Sequence, residues 1–218
     1  KYGRDYKSRF YHIYMDPDVK DDLNRRAEEH EPLPDLLVNG YYLLGKDWLE
    51  TAQEWEKVGF RTPPVMITVC NRTETAARVK YAFDHGKIRI DELCQPDRTL
   101  HIDSKVLDKA EAQEEAVAVN VGDEAEEENG DSEEPQRKLT KQEQAELLRR
   151  MVDTVGRVGE PGGPIQNVIS VGMLSEGWDA KTVTHIMGLR AFTSQLLCEQ
   201  VIGRGLRRVA YDIDPETG

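Results

Sequence analysis

The segment VMITVCNRTETAARVKYAFDHG, residues 65–86, decides the fold class of this chain of 218 residues. It opens with an apolar run, Val65–Val69, which is typical of a strand buried on both faces of a parallel sheet. Asn71 is predicted to cap a following helix, with Glu74 completing a capping box, and Gly86 ends that helix. A strand, a tight polar turn and a helix in this order form half of a βαβ unit.

The same alternation of strands and helices continues toward the C-terminus. KLTKQEQAELLRRMVDTVG, residues 138–156, has the spacing of an amphipathic helix, with an apolar stripe that includes Leu147. Three more segments follow it: two apolar strands at 167–174 and 183–189, and a helix with a basic end at 193–208. Alternating elements of this kind predict an α/β fold with a parallel sheet flanked by helices.

Residues 1–62 precede this pattern and are predicted to form an N-terminal α/β extension packed on the core, whereas 63–218 form the main domain. RFYHIYM, residues 9–15, predicts a strand, and Asp16-Pro17 suits a helix N-cap followed by proline at the first helical position. The segment 47–59 has helical spacing and stops at a glycine.

The net charge of −12 comes almost entirely from one segment. Residues 111–134 carry eleven acidic residues and no Lys or Arg, so without them the net charge is about −1. We predict that residues 111–136 are an acidic mobile insertion, with a mimic of nucleic acid phosphates as the alternative. The rest of the chain is nearly neutral and does not argue against nucleic acid binding.

Metal and membrane chemistry receive no support from the sequence. The three cysteines form no CxxC pair and the five histidines lack metal-ligand spacing, so no metal site is predicted. No apolar run approaches the ~18 residues of a membrane span. These features favour a reducing, cytoplasmic setting away from membranes.

Three polar clusters each follow a predicted strand or lie on the helix after one, at 70–73, 175–179 and 200–208. In the last, Gln200, Arg204 and Arg207 fall on one face of a helix, because they are spaced i, i+4 and i+7. Guanidinium groups bind phosphate bidentately and keep their charge, so this face suits a polyanion.

These residues resemble the second RecA-like domain of superfamily 2 helicases and translocases, of the DEAD/DEAH type. QVIGRGLR resembles motif VI, MLSEGWDA motif V and VMITVCNRTETA the motif IV region, in that order over residues 63–208. The forms of motifs V and VI are most similar to the restriction subunit of type III restriction-modification systems. The resemblance implies a RecA-like fold and an ATP hydrolase.

The resemblance also implies roles in catalysis and ATP binding. Arg204 and Arg207 match arginine fingers that stabilise the γ-phosphate during phosphoryl transfer, and Gln200 matches the residue that helps to place the attacking water. Gly177 and Asp179 match the motif V pair at the nucleotide cleft. Gly203 of motif VI joins them as a candidate nucleotide-binding residue.

A second set of residues is implied in nucleic acid binding. Asn71, Arg72 and Thr73 match the motif IV turn, where this superfamily contacts the nucleic acid backbone, and a helix N-terminus there suits a phosphate. Ser170 and Gly172 are weaker candidates for the same contact. Backbone contacts predict DNA binding without sequence preference, and RNA is not excluded.

The sequence departs from the superfamily in one respect: it contains no G-x-x-x-x-G-K-[ST] loop. Residues 91–94, DELC, imitate the DExx magnesium motif but follow motif IV, so we do not assign them that role. We therefore expect the C-terminal motor half of a longer helicase or translocase, inactive alone. Its partner would be an N-terminal RecA-like domain of the same protein, which holds ATP and Mg²⁺. The resemblance adds a modification methyltransferase subunit as a further partner.

Two alternatives come from other classes of protein. One is a RecA-like module that binds nucleic acid or a partner without hydrolysis. The other is a nuclease, which would need a cluster of acidic and lysine residues that is not evident here.

Overall fold

The computed structural model describes residues 13–103, 141–171, 180 and 182–190. Within these ranges four strands are present: β1 (Val65–Cys70), β2 (Thr99–Asp103), β3 (Asn167–Val171) and β4 (Val183–Leu189). The α-helices are α1 (Pro17–Asn24), α2 (Asp35–Lys57), α3 (Thr73–Asp84) and α4 (Lys141–Asp153). Short 3-10 helices cover Ile13–Met15 and Pro96–Arg98.

The strands form one parallel sheet in the order β2-β3-β1-β4. The central strand β1 is buried along its whole length, as its continuous apolar sequence predicts. The chain passes from β1 through α3 to β2 at one edge, and β3 later fills the position between them. The predicted α/β fold with a parallel sheet flanked by helices is confirmed, and its arrangement is consistent with a RecA-like fold.

Alternate residues of β1 face two separate hydrophobic clusters, because side chains alternate along a strand. On one face, Met66 and Cys70 pack with apolar side chains of α1, α2 and α3. On the other face, Val65, Ile67 and Val69 pack against α4 and the segment after it. The sheet is therefore the middle layer, with helices on both of its faces. Leu147, which belongs to the predicted apolar stripe of α4, is 41% exposed.

In the described part of the N-terminal extension, residues 13–62, all the regular elements are helices. The predicted strand over 9–15 is wrong at Ile13–Met15, which form a 3-10 helix. The predicted N-cap of α1 is confirmed, since the Asp16 carboxylate accepts hydrogen bonds from the backbone N–H groups of Asp18 and Val19.

Helix α2 joins this extension to the sheet through two buried hydrogen bonds. The hydroxyl groups of Tyr41 and Thr68 lie 3.1 Å apart, and the indole N–H of Trp48 donates to the carbonyl of Pro64 at 2.8 Å. Both aromatic rings belong to the same hydrophobic cluster as the sheet residues. Residues 13–57 and the sheet thus share one core.

The predicted capping box of α3 is wrong. The helix begins at Thr73, and its N-cap is Arg72, whose side chain makes no capping hydrogen bond. The Asn71 amide instead donates to residues of α1. Asn71 thus pairs with distant residues of α1 and not with the N-terminus of its own helix. Sequence spacing alone does not reveal this choice of partner.

His185 connects the amino end of β4 to α2. Its Nε2–H donates to the Asp47 carboxylate at 3.3 Å, and its Nδ1 lies 2.7 Å from the Thr184 hydroxyl, which therefore donates to it. Burial lowers the pKa of His185, and this effect exceeds the opposing influence of the Asp47 carboxylate. The folded protein therefore keeps this imidazole neutral.

We expect acid to destabilise the protein through His185. The unfolded chain takes up a proton near pH 6.5, whereas the folded chain resists it, so stability present above that pH is lost as the pH falls below it. The loss should be at most about 1.4 kcal/mol per pH unit. Urea denaturation from pH 7.5 to 5.5 should show this slope weakened in His185→Gln, with the exposed His30→Gln as control. An equal slope in both variants would contradict it.

Several predicted elements lie outside the described residues, namely the acidic insertion at 111–136, the turn at 175–179 and the basic helix at 193–208. Among the helices that the structure does describe, none combines the length and apolar character that a bilayer crossing requires.

Candidate functional site

The carboxyl ends of the strands form the edge at which the sequence places its functional turns. Cys70, the last residue of β1, pairs with Val171 of β3 on one side and with Leu189 of β4 on the other. Asp103, the last residue of β2, also pairs with Val171. All four strands therefore end level with one another. Ligands of open parallel sheets bind at this edge.

The β1–α3 junction, residues 71–75, contains the three residues assigned to motif IV. The side-chain amide of Asn71 donates to the Leu23 carbonyl at 3.3 Å and to the Asn24 side-chain oxygen at 2.9 Å. Arg72 donates to the Asn24 carbonyl and, at 3.2 Å, to the Glu74 carboxylate. Both side chains thus bind the carboxyl end of α1.

Two threonines complete the β1–α3 junction. The Thr75 hydroxyl is buried and donates to the Leu23 carbonyl at 3.0 Å, so it joins Asn71 at the same acceptor. Thr73 is the first residue of α3 and is half-buried, and its hydroxyl has no hydrogen-bond partner within the described ranges. Thr75 was not among the junction residues predicted from the sequence. The available signal was its spacing, four residues and so one helical turn after Asn71.

Ser170 lies one residue before the end of β3, on the face that packs against α4. It stands in register with Val69 on one side and with Ile102 on the other, and only 1% of its surface is exposed. Its hydroxyl has no hydrogen-bond partner among the residues that the structure describes. Leaving such a buried group unpaired costs about 1–3 kcal/mol.

Two basic residues near the junction were also missed. Arg190 directly follows β4 and is half-buried. Leu189, the residue before it, pairs with Cys70, which is the residue before Asn71. Arg26 lies close enough to Glu74 to affect its carboxyl. The pKa of Glu74 is lowered first by its own backbone N–H and further by Arg72 and Arg26. Arg72 and Arg26 thus both act on the Glu74 carboxylate at this junction, and Arg72 forms an ion pair with it.

The other predicted site residues lie outside the described residues, and their positions stay predictions. They are Gly172, Gly177, Asp179, Gln200, Gly203, Arg204 and Arg207. Val171, the last described residue before the first of these segments, pairs with Cys70 of β1.

The described part of the chain offers little redox or metal chemistry. Within it, no group of three or more His, Cys, Asp or Glu residues is placed to bind a metal ion. Burial raises the pKa of the Cys70 thiol far above the usual range, so this cysteine is an inert core residue.

Comparison of the chain with protein-family models, with curated proteins and with solved structures found no match.

Proposed function

We propose that this chain is the C-terminal motor half of an ATP-dependent DNA helicase or translocase, similar to the restriction subunit of type III enzymes. One observation carries the proposal. The strands that precede the motif IV and motif V segments are neighbours and end in register at Cys70 and Val171. The two segments that would contact nucleic acid and nucleotide would then begin at one edge of a parallel sheet.

The chemistry of the residues indicates which step of ATP hydrolysis this chain would support and which a separate domain would. Arg204 and Arg207 would stabilise the charge that develops on the γ-phosphate, and Gln200 would orient the attacking water. ATP and Mg²⁺ would be held mainly by a separate domain with a P-loop, because this sequence contains none. The donors of the β1–α3 junction would contact phosphates of the nucleic acid strand.

The second candidate is a RecA-like module that binds nucleic acid or a partner without hydrolysis. It is favoured by the missing P-loop, since a degenerate domain would also lack this loop. It is disfavoured by the complete Q-x-x-G-R-x-x-R spacing from Gln200 to Arg207, which a domain without turnover has no need to keep.

Titration of this chain with ATP and with fluorescent single-stranded DNA separates the two candidates. The motor half should bind ATP weakly, with a Kd of about 1 mM or higher, and show no turnover, because the phosphate-binding loop is elsewhere. Its DNA affinity should fall with salt, with a slope of roughly −0.7 for each phosphate contacted.

Micromolar ATP binding by the chain alone would contradict the motor-half proposal and support the self-sufficient module. DNA affinity that does not change with salt would contradict phosphate contacts in either case.

A further inference from the structure

The carboxyl end of α1 occupies the hydrogen-bond donors of the β1–α3 junction. Asn71, Arg72 and Thr75 all donate to Leu23 or Asn24. These contacts join segments that lie 47 to 52 residues apart in the chain. They are therefore tertiary contacts made by side chains, and no backbone hydrogen bond of α3 or of the sheet takes part in them.

The acceptors in this contact are chemically like those of a phosphate backbone. Two are the main-chain carbonyl oxygens of Leu23 and Asn24, and one is the side-chain amide oxygen of Asn24. Together they accept hydrogen bonds from an amide, a guanidinium and a hydroxyl group. Phosphate oxygens are bound by the same donors, and their hydrogen bonds to a guanidinium are stronger because both partners are charged. A strand and α1 would therefore compete for one set of donors.

Helix α1 has the features of an element that can be displaced. It is 8 residues long, shorter than an isolated helix needs for stability in water. Val19 and Leu23 bury it in the core, the Asp22 carboxylate pairs with Arg78 of α3, and the Asp16 carboxylate caps its first turn. Elements that depend on few contacts open locally at a lower cost than the whole protein.

We propose that α1 is an internal competitor of nucleic acid, so that a bound strand at the β1–α3 junction and docked α1 exclude each other. This inference rests on the proposed nucleic acid function. The observed affinity for a strand is then the intrinsic affinity multiplied by the fraction of molecules in which α1 is undocked. Docked α1 keeps affinity low, and anything that loosens α1 raises it.

Two variants of the full chain test the proposal by anisotropy of a fluorescent single-stranded DNA. Asp16→Ala removes the cap of α1, which should loosen the helix and tighten DNA binding about fivefold. Asp21→Ala is the matched control, because it removes the same charge from exposed α1 surface, and the Asp21 carboxylate makes no hydrogen bond or ion pair to a described residue. The difference between the two variants isolates the cap from the change in net charge.

Hydrogen exchange of the wild-type chain gives a second, independent measurement. Saturating DNA should speed the exchange of the α1 amides, residues 19–24, while the amides of β1 stay protected. Equal DNA affinities in Asp16→Ala and Asp21→Ala, or α1 amides that stay protected with DNA bound, would overturn the competition. Absence of DNA binding in the wild type and in both variants would instead overturn the proposed function itself.

Discussion

Replacing Arg78 with methionine is expected to destabilise the protein by about 3 kcal/mol, because it leaves two carbonyls unpaired and removes the buried partner of a carboxylate. Arg78 is 1% exposed and donates to the Asp22 carboxylate at 2.8 Å and to the Glu31 carbonyl at 3.3 Å. A third donor of the same guanidinium binds the Pro32 carbonyl. One side chain on α3 thus anchors the whole connection between α1 and α2.

Asp22 shows that this anchor is electrostatic as well as geometric. Partial burial of its carboxyl acts to raise the pKa, but hydrogen bonds from Arg25 and Arg78 outweigh burial and lower it. The Asp22 carboxylate therefore stays ionised in the folded protein. Methionine at position 78 keeps the apolar packing but leaves this charge with only the exposed Arg25.

Urea denaturation of Arg78→Met measures this prediction, with Arg150→Met as the matched control. Arg150 also pairs with a carboxylate, that of Glu160 at 3.3 Å, but its side chain is largely exposed. Exposed pairs contribute little, so the control should change the free energy of unfolding by less than about 1 kcal/mol. Similar losses in the two variants would show that the buried anchor is unimportant.

Three of the four described strands, β1, β3 and β4, could be predicted from the sequence because their signals are local, whereas β2 was not predicted. Val65–Val69 is a continuous apolar run, which a central parallel strand requires, and residues 183–189 give the neighbouring strand. Glycines mark two helix ends, with positive φ at Gly59 and Gly86. Parallel topology then predicts that the polar turns lie at one edge of the sheet.

The contact of α1 with the β1–α3 junction could not be predicted, because it depends on distant partners. Asn71 has the spacing of a helix cap, yet its amide is used by Leu23 and Asn24. The same holds for Arg78, which on helical spacing alone is a surface cation. Local sequence patterns predict where a helix or strand forms and which of its faces is buried. Which polar groups pair across about 50 residues depends on how these elements pack in the folded protein.

The prediction with the largest effect on activity concerns the two arginines assigned as fingers. Arg204→Ala and Arg207→Ala should each lower the kcat of DNA-stimulated ATP hydrolysis by about 10³-fold, roughly 4 kcal/mol in the barrier. The reason is that a guanidinium on the γ-phosphate acts mainly in the transition state, where charge develops. The KM for ATP should change much less, because the fingers bind the ground state weakly.

Arg208→Ala is the matched control for these variants. It removes the same charge from the next position in the sequence, but Arg208 lies outside the Q-x-x-G-R-x-x-R spacing. A loss of activity caused only by lower positive charge or weaker DNA binding would appear in all three variants. A loss restricted to Arg204→Ala and Arg207→Ala identifies the fingers.

The most direct test is therefore the steady-state ATPase rate, at saturating single-stranded DNA, of this chain joined to the proposed N-terminal domain that would supply the P-loop. We predict near-wild-type kcat for Arg208→Ala and a loss of about 10³-fold for Arg204→Ala and for Arg207→Ala. Wild-type kcat in both finger variants would contradict the assignment of this chain as the motor half of an ATP-driven enzyme.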